Sequence, residues 1–479
     1  MLLQPILIAN RPFSCYLLTE YTAQAHMERR RLFGTSGIRG VVDKELSPHF
    51  CHDIALALGT TLPPDSTVCV ATDTRTTRDV LKRAVVSALT SCGINVVDFG
   101  ILPTPALALL TRELGFATGV MITASHNPPE FNGLKFFNHN SLGYSQAQET
   151  EIENVYFEGR FRRGKKGTLE HATDMKQTYL SFIKQKLPTS ALNRQLRIVV
   201  DPGNGAASKF ASDIFARMGL NVIAINDEPD GSFPGRSPEP KEDTLQGTVA
   251  LLRQNDADLA ICFDGDADRV VFCDKEGFLG FNEPVAFISR LIAQRTGKKK
   301  IVTTVETGNL LDLAVKDLGV EVVRGKVGDV SVAYLAQELD AALGVEQVGV
   351  YIFPELGYYP DSIFASLALL AYINDAGEIR RFFQSMPKLF FHKAKVPCPN
   401  ELKEVVMTRA REKIQFFAPA AVNMLDGLRL EFPHSWLLIR ASGTEPAIRL
   451  ISESASEIEA DSLIIKGKEL VQRLVEENR

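Results

Sequence analysis

Long apolar runs are missing from this chain. No uninterrupted stretch approaches the ~18–20 residues of a membrane-crossing helix, which argues against an integral helical membrane protein. Cysteine is sparse: Cys15, Cys51, Cys69, Cys92, Cys262, Cys273 and Cys398, an odd number with no Cys-x-x-Cys pair. Several lie inside apolar runs, so they read as reduced, buried thiols of a cytosolic protein rather than a disulfide framework. An excess of basic charge is absent too. The net charge of −5 argues against general nucleic-acid binding and leaves room for a local basic pocket. No segment is rich enough in charge, proline or glycine to read as disordered. The eight histidines offer no metal-ligand spacing; His49 and His52 fall on one face of a helix predicted after Pro48. The single tryptophan, Trp436, reads as core or strand-edge packing.

What is present is an ordinary globular composition in 479 residues, 45% hydrophobic and 23% charged, too long for one core. Three or four domains are expected. Met1–Arg30 has no basic n-region and no clear cleavage site, which disfavours a signal peptide. Residues 1–26 read as an extension outside the fold, with a second natural start at Met27.

One pattern recurs three times: an apolar strand, a polar turn, a helix, a glycine and a second apolar strand. The copies begin at Thr67, Arg197 and Lys300. Their helices are predicted at 80–89, 209–218 and 310–318, each closed by Gly93, Gly219 or Gly319. The shared Gly-x-x-Val exit favours three related α/β domains in tandem over unrelated βαβ units. The tail differs. A helical stretch at 402–414, strands at 428–432, 436–440 and 447–451, and an amphipathic helix at 457–477 read as a smaller α+β domain. Boundaries are expected at 27–173, 174–278, 279–388 and 389–479.

Ligands collect beyond the carboxyl ends of strands in such sheets, and four polar motifs sit in such places. In Thr123-Ala124-Ser125-His126-Asn127-Pro128, a hydroxyl stands on a proline-stiffened loop. A serine needs an activating partner to be a nucleophile, and an ordinary Ser/Asn turn is open as the alternative. In Asp264-Gly265-Asp266-Ala267-Asp268-Arg269, three carboxylates alternate between two apolar strands. Such crowding calls for a hard cation such as Mg²⁺ or Ca²⁺. An EF-hand fails, since Arg269 and Lys275 stand where glycine and glutamate are required. In Arg440-Ala441-Ser442-Gly443-Thr444-Glu445-Pro446, with Arg449 beyond, hydroxyls, a glycine and two arginines suit either a phosphate site or a hairpin turn with surface arginines. Phe33-Gly34-Thr35-Ser36-Gly37-Ile38-Arg39-Gly40 is a weaker signal of the same kind.

In this order, from about Arg31 to the C-terminus, the motifs resemble the α-D-phosphohexomutase superfamily, which includes phosphoglucomutases, phosphomannomutases and phosphoglucosamine mutases. The resemblance implies four domains around a central cleft, three α/β and one smaller α+β. It implies an isomerase of the intramolecular phosphotransferase kind, converting hexose 6-phosphate to hexose 1-phosphate through a phosphoserine and a hexose 1,6-bisphosphate. By resemblance Ser125 carries the phosphate, and Asp264, Asp266 and Asp268 hold one Mg²⁺ with an oxygen from Ser125. Lys135 is the candidate for proton transfer, with His126 and Arg269 in the catalytic set. Arg440, Ser442, Gly443, Thr444 and Arg449 grip the unreactive phosphate, and Arg39, Lys326, Asp329 and Glu346 line the cleft. The implied partner is a small phosphosugar, with no nucleic acid or membrane, in a cytoplasmic monomer or homodimer.

The family's sugar loop usually carries serine and histidine where Val348 and Val350 stand, while Ile352-Phe353-Pro354-Glu355 resembles archaeal-type phosphoglucosamine mutases. Glucosamine phosphate is the favoured sugar, with mannose or glucose phosphate as alternatives. A non-catalytic sugar-phosphate binder is a more distant reading. So is a haloacid-dehalogenase-type enzyme with Asp264 as nucleophile, although that motif wants Thr or Val where Asp268 stands.

Overall fold

The computed structural model describes residues 31–187, 189–443 and 445–479. The extension assigned to residues 1–26, the second start at Met27 and the site candidate Thr444 all lie outside the described residues.

Among the described residues four sheets are formed. The first holds β1 (Ile38–Val41), β2 (Thr67–Thr72), β3 (Asn95–Ile101), β4 (Thr118–Ile122), β5 (Phe131–Asn138) and β6 (Leu169–His171), in the order β1-β5-β4-β2-β3-β6. The second holds β7 (Arg197–Asp201), β8 (Asn221–Ala224), β9 (Leu259–Phe263), β10 (Val270–Asp274) and β11 (Gly277–Phe278), in the order β11-β10-β9-β7-β8. The third holds β12 (Lys300–Thr304), β13 (Glu321–Gly325), β14 (Leu343–Glu346) and β15 (Val350–Ile352), in the order β13-β12-β14-β15.

These three sheets share one plan. A central strand (β2, β7, β12) runs parallel to a strand on each side. One flanking strand (β4, β9, β14) then turns back antiparallel into the next (β5, β10, β15). The central strands read as apolar runs because helices and neighbouring domains cover both faces. The repeat expected from sequence is thus a repeat of topology. Gly93, Gly219 and Gly319 each close their helix in the left-handed region, at φ 79°, 84° and 61°.

All three repeat helices differ in their bounds from the sequence reading: the first is longer, Arg78–Ser91. The second helix is Ala211–Arg217, because Lys209 is left-handed (φ 57°) and donates its N–H to Asp227. The third is Leu310–Val315, tightening into a 3₁₀ turn at Lys316–Leu318.

The fourth sheet is antiparallel: β16 (Phe390–Pro397), β17 (Ala421–Asn423), β18 (Leu428–Glu431), β19 (Ser435–Ala441) and β20 (Ala447–Ser454), in the order β16-β20-β19-β18-β17. The edge strands β16 and β17 are additions to the sequence reading. Helices Lys403–Glu412 and Glu457–Glu476 pack against this sheet. The first of these is shorter than the predicted 402–414 and is flanked by 3₁₀ turns. Among the described residues no helix is long and apolar enough to cross a membrane.

One apolar cluster joins the first three domains, running from Leu107 and Met121 through Phe215 and Phe263 to Phe353 and Leu369. The fourth docks on the third through Trp436, Leu438, Ile451 and Val305. The fully buried Arg429 guanidinium stacks on Trp436 at 3.7 Å and donates to the carbonyls of Val305 and Thr307. Glu453 accepts from Trp436 Nε1 at 2.9 Å and from Asn309 N at 2.7 Å. A buried charge is tolerable there because its donors are matched to carbonyls and a carboxylate.

A second polar link is buried between Tyr179 and Asp361. Asp361 caps helix Ser362–Tyr372, accepting from Phe364 N at 2.9 Å, and accepts from Tyr179 Oη at 2.8 Å. Burial pushes its carboxyl from the ordinary 3.8 up to about 6, against the pull of those hydrogen bonds. The folded state therefore favours the neutral acid. That contribution to stability is complete below pH 3.8 and is lost as pH rises through about 6. Asp361→Asn cannot ionise, so its melting temperature should rise relative to wild type between about pH 4 and about pH 7. A constant difference in paired thermal melts would contradict this assignment.

Candidate active site

The antiparallel return of each α/β sheet places a short loop at the carboxyl end of its strand. The loop after β4 carries Ser125, the loop after β9 carries the three aspartates, and the turn after β14 begins at Glu346. The three loops converge.

Ser125 is buried and left-handed at φ 51°. Its Oγ donates to Asp264 Oδ2 at 2.6 Å and lies 3.2 Å from His126 Nδ1. Burial, reinforced by the nearby charges of Arg269 and Arg39, holds the His126 imidazole far below its usual range and therefore neutral. Gly265 lies against the serine loop so closely that a Cβ there would stand 2.4 Å from the Ser125 carbonyl oxygen. Only glycine lets the two loops touch.

Asp264, Asp266 and Asp268 are all buried, with ligand oxygens within 4.8 Å of one another. Asp264 Oδ1 accepts from Arg269 N at 3.1 Å. Asp266 Oδ2 accepts from Thr104 Oγ1 at 2.6 Å and Lys135 Nζ at 2.7 Å. Asp268 Oδ2 accepts from Lys135 Nζ at 2.7 Å and Tyr359 Oη at 2.8 Å. The remaining oxygens, Asp266 Oδ1 and Asp268 Oδ1, are buried with no hydrogen-bond partner among the described residues. A buried carboxylate oxygen left so is costly. Burial and the charges of Asp268 and Asp266 raise the Asp264 carboxyl well above the carboxylate range. At Asp268 burial pushes the same way, but Lys135 and Arg269 outweigh it and hold that carboxyl below its ordinary value. Crowded acidic oxygens, two of them without a hydrogen bond among the described residues, are the donor set of a hard divalent cation.

Glu346 is buried and accepts from Gly328 N at 2.9 Å. Burial and the neighbouring Asp329 push its carboxyl up to about 7. Asp329 accepts from Ser36 Oγ at 3.3 Å, joining the first domain to the third. Lys326 is exposed in the turn between β13 and helix Asp329–Glu338. Arg39 donates to Asn127 Oδ1 at 3.0 Å beside the serine loop. Val348 and Val350 both pack with the apolar cluster of Val302 and Val332. Val350 is buried and Val348 half-buried there, apolar side chains at the positions where the resemblance implies serine and histidine.

In the fourth domain Arg440 pairs in register with Arg449, and Arg449 with Lys395, so three cations stand side by side on one sheet face. Like charges directly opposite one another are destabilising. Glu445 answers Arg449 at 3.5 Å and Lys395 at 3.3 Å, while Arg440 reaches Glu306 at 3.3 Å and Asp426 at 2.9 Å. Lys403 Nζ donates to the Ser442 and Glu445 carbonyls and pins the turn. Gly443 faces the first domain: a Cβ there would touch Thr35 at 3.7 Å.

The structure thus gathers Ser125, His126, Lys135, Arg269 and the aspartates tightly. Arg39, Asp329 and Glu346 flank them, and Arg440, Ser442, Gly443 and Arg449 close from the fourth domain. Sequence reasoning missed Thr104, Tyr359 and Lys395. A polar residue opening the helix after β3 could have flagged Thr104, but nothing in the local sequence marks Tyr359. His49 and His52 share one face of helix Pro48–Thr61, as the sequence predicts, and Asp53 gathers with them there at the surface.

The chain matches the phosphoglucomutase/phosphomannomutase family descriptions for alpha/beta/alpha domains I (residues 30–163), II (177–277) and III (282–389) and for the C-terminal domain (394–464). It is 38% identical to a Pyrococcus horikoshii protein named a probable phosphoglucosamine mutase, over 93% of this chain and 99% of that one. It is also 38% identical to a Methanopyrus kandleri protein of the same name, over 94% and 99%. Among solved structures, a phosphoglucomutase/phosphomannomutase family protein from Burkholderia thailandensis superimposes with a TM-score of 0.82 at 26% identity, covering 94% of this chain and 98% of that one.

The aspartate cluster makes a direct prediction. Calorimetric titration with a divalent cation should show saturable binding that Asp266→Asn weakens at least about tenfold. Equal affinity in wild type and variant would rule out a metal centre there.

Proposed function

The chain belongs to the phosphoglucomutase/phosphomannomutase family, the α-D-phosphohexomutases. From there we propose that it interconverts hexosamine 6-phosphate and hexosamine 1-phosphate through a phosphate carried on Ser125. The observation that carries this reading is the 2.6 Å hydrogen bond from buried Ser125 Oγ to Asp264, within a cluster of three carboxylates. In the first half-reaction a sugar hydroxyl oxygen bonds to phosphorus as the Ser125 Oγ–P bond breaks. In the second, the other phosphate of the resulting bisphosphate returns to Ser125. A hexose 1,6-bisphosphate is accordingly both intermediate and primer.

Positioning and charge stabilisation are most of what phosphoryl transfer needs from a protein. Arg269 and Lys135 supply positive charge around Ser125, and Arg39 orders the loop through Asn127. His126, neutral and 3.2 Å from Ser125 Oγ, is placed to hydrogen-bond that oxygen and help orient it. Lys135 is assigned to the proton of the sugar hydroxyl, its Nζ accepting that proton as it passes one of its own to the Asp268 carboxylate to which it donates at 2.7 Å. Asp264, Asp266 and Asp268 would hold Mg²⁺, which neutralises phosphoryl oxygens when bound. Arg440, Ser442, Gly443 and Arg449, with Lys395, hold the unreactive phosphate. Glu346 meets the sugar hydroxyls beside Asp329, and Lys326 borders that turn. The six described cysteines are buried thiols, which suits a reducing, cytoplasmic compartment.

Glucosamine phosphate is favoured because the relatives at 38% identity carry that name. Mannose or glucose phosphate is the second reading, favoured by the description of the matching family, which names phosphoglucomutase and phosphomannomutase.

Primed with bisphosphate and Mg²⁺, the enzyme should turn over glucosamine 1-phosphate faster than mannose or glucose 1-phosphate, and Ser125→Ala should leave no turnover above background. Full activity in that variant would sink the reading of Ser125. A preference for mannose or glucose would overturn the choice of sugar alone.

A further inference from the structure

We propose that Arg75 is a positioning residue for this reaction. Its buried guanidinium, tied to Asp73, holds Ser125 in the left-handed conformation that aims the hydroxyl at Asp264. The inference rests on the reading of Ser125 as phosphate carrier.

Arg75 lies just past the carboxyl end of β2, and both it and Asp73 are fully buried. Every guanidinium N–H is used. Nε donates to Asp73 Oδ2 at 3.0 Å, and Nη1 to the carbonyls of Pro128 at 2.6 Å and Phe131 at 2.8 Å. Nη2 donates to the carbonyls of Ser125 at 2.9 Å and Asn127 at 2.6 Å. Four acceptors thus come from one short segment, the loop that carries Ser125. Burying an ion costs several kcal/mol, and a well-packed apolar side chain often fills such space at no loss of stability. What an apolar side chain cannot do is fix four carbonyls through one rigid fork.

The need for such a fork is local. A non-glycine residue at positive φ is held at a cost of about 1–3 kcal/mol and persists only where its surroundings over-determine it. Both peptide groups of Ser125 are held. Its N–H donates to Thr123 Oγ1 at 2.8 Å, and Thr123 Oγ1 donates in turn to Asp73 Oδ2 at 2.6 Å. Its carbonyl accepts from Arg75, so Asp73 anchors both tethers. The second domain covers the clamp: the Phe233 ring lies 5.3 Å from Arg75 Cζ, and Thr74 Oγ1 donates to the Asn204 carbonyl at 2.9 Å. The clamp therefore sits on the seam across which Ser125 meets Asp264. With no exposure, Arg75 acts through Ser125 and not on the sugar.

Arg162 offers a matched control. Its guanidinium also binds carbonyls, those of Gly59, Leu62 and Cys92, just before β2 and β3 and so at the amino ends of the strands, opposite the carboxyl ends where Ser125 lies. In full-length protein primed with bisphosphate and Mg²⁺, Arg75→Ala should lose ~100-fold in kcat, the scale of a small misplacement of reacting groups. Its KM should stay within about twofold. Added guanidinium should restore part of the loss. Thr123→Val, which cuts one tether and leaves the ion pair, should lose ~10-fold in kcat. Arg162→Ala should lower the melting temperature and leave kcat unchanged.

An active wild type whose Arg75→Ala keeps its kcat, fails to respond to guanidinium, or loses no more than Arg162→Ala would overturn the clamp alone. Should Arg75→Ala fail to fold, Thr123→Val decides, and an unchanged kcat there overturns the proposal. An inactive wild type with no phosphate on Ser125 would overturn the functional reading first, and this inference with it.

Discussion

Three carboxylates buried within 4.8 Å of one another set the terms for everything around them. Such a cluster cannot stay charged in a protein interior without matching positive charge and donors. Each α/β domain supplies some. The first sends Ser125, Thr104 and Lys135, the second its own Arg269, and the third Tyr359. Ser362, opening a helix of the third domain, donates to the carbonyl of Ala267, which is left-handed at φ 61° inside the acidic loop. The three domains are joined by an apolar cluster, but it is the acidic loop that fixes how their loops face one another.

Topological repetition explains why a single site can draw on three sheets. In each, a strand parallel to the centre turns back antiparallel, leaving a tight loop at the carboxyl edge. One device thus presents the serine, the aspartates and Glu346. The turn after Glu346 is locked to the acidic hairpin, since Gly349 lies where a Cβ would stand 2.2 Å from the Val270 carbonyl oxygen. The fourth domain follows a different plan and contributes a row of like charges, Arg440, Arg449 and Lys395, only partly answered by Glu445, Glu306 and Asp426.

Much of this was legible in the sequence because it is local. The Gly-closed βαβ units, the alternating aspartates and the serine loop are all contiguous patterns, and each lands at a strand end. Contacts made by distant residues were not legible. Tyr359 and Thr104 reach the aspartates from 91 and 162 residues away in the chain. Arg75 binds a loop 50 to 56 residues ahead of it. Val348 and Val350, which depart from the family's sugar loop, pack with the apolar cluster of Val302 and Val332, a setting their local sequence did not announce. Edge strands β16 and β17 escaped because the first breaks its apolar start with His392, Lys393 and Lys395 and the second is only three residues long.

The geometry also separates two phosphoenzyme chemistries. An acyl phosphate on Asp264 would need that carboxylate free to attack, yet it is engaged by Ser125 Oγ and by the backbone of Arg269. The most direct measurement is therefore of the phosphoenzyme itself. After incubation with glucosamine 1,6-bisphosphate, peptide mapping by mass spectrometry should find an acid-stable phosphate on Ser125 that departs when glucosamine 6-phosphate is added. An acid-labile phosphate on Asp264, or a Ser125 that never takes up phosphate, would contradict the account.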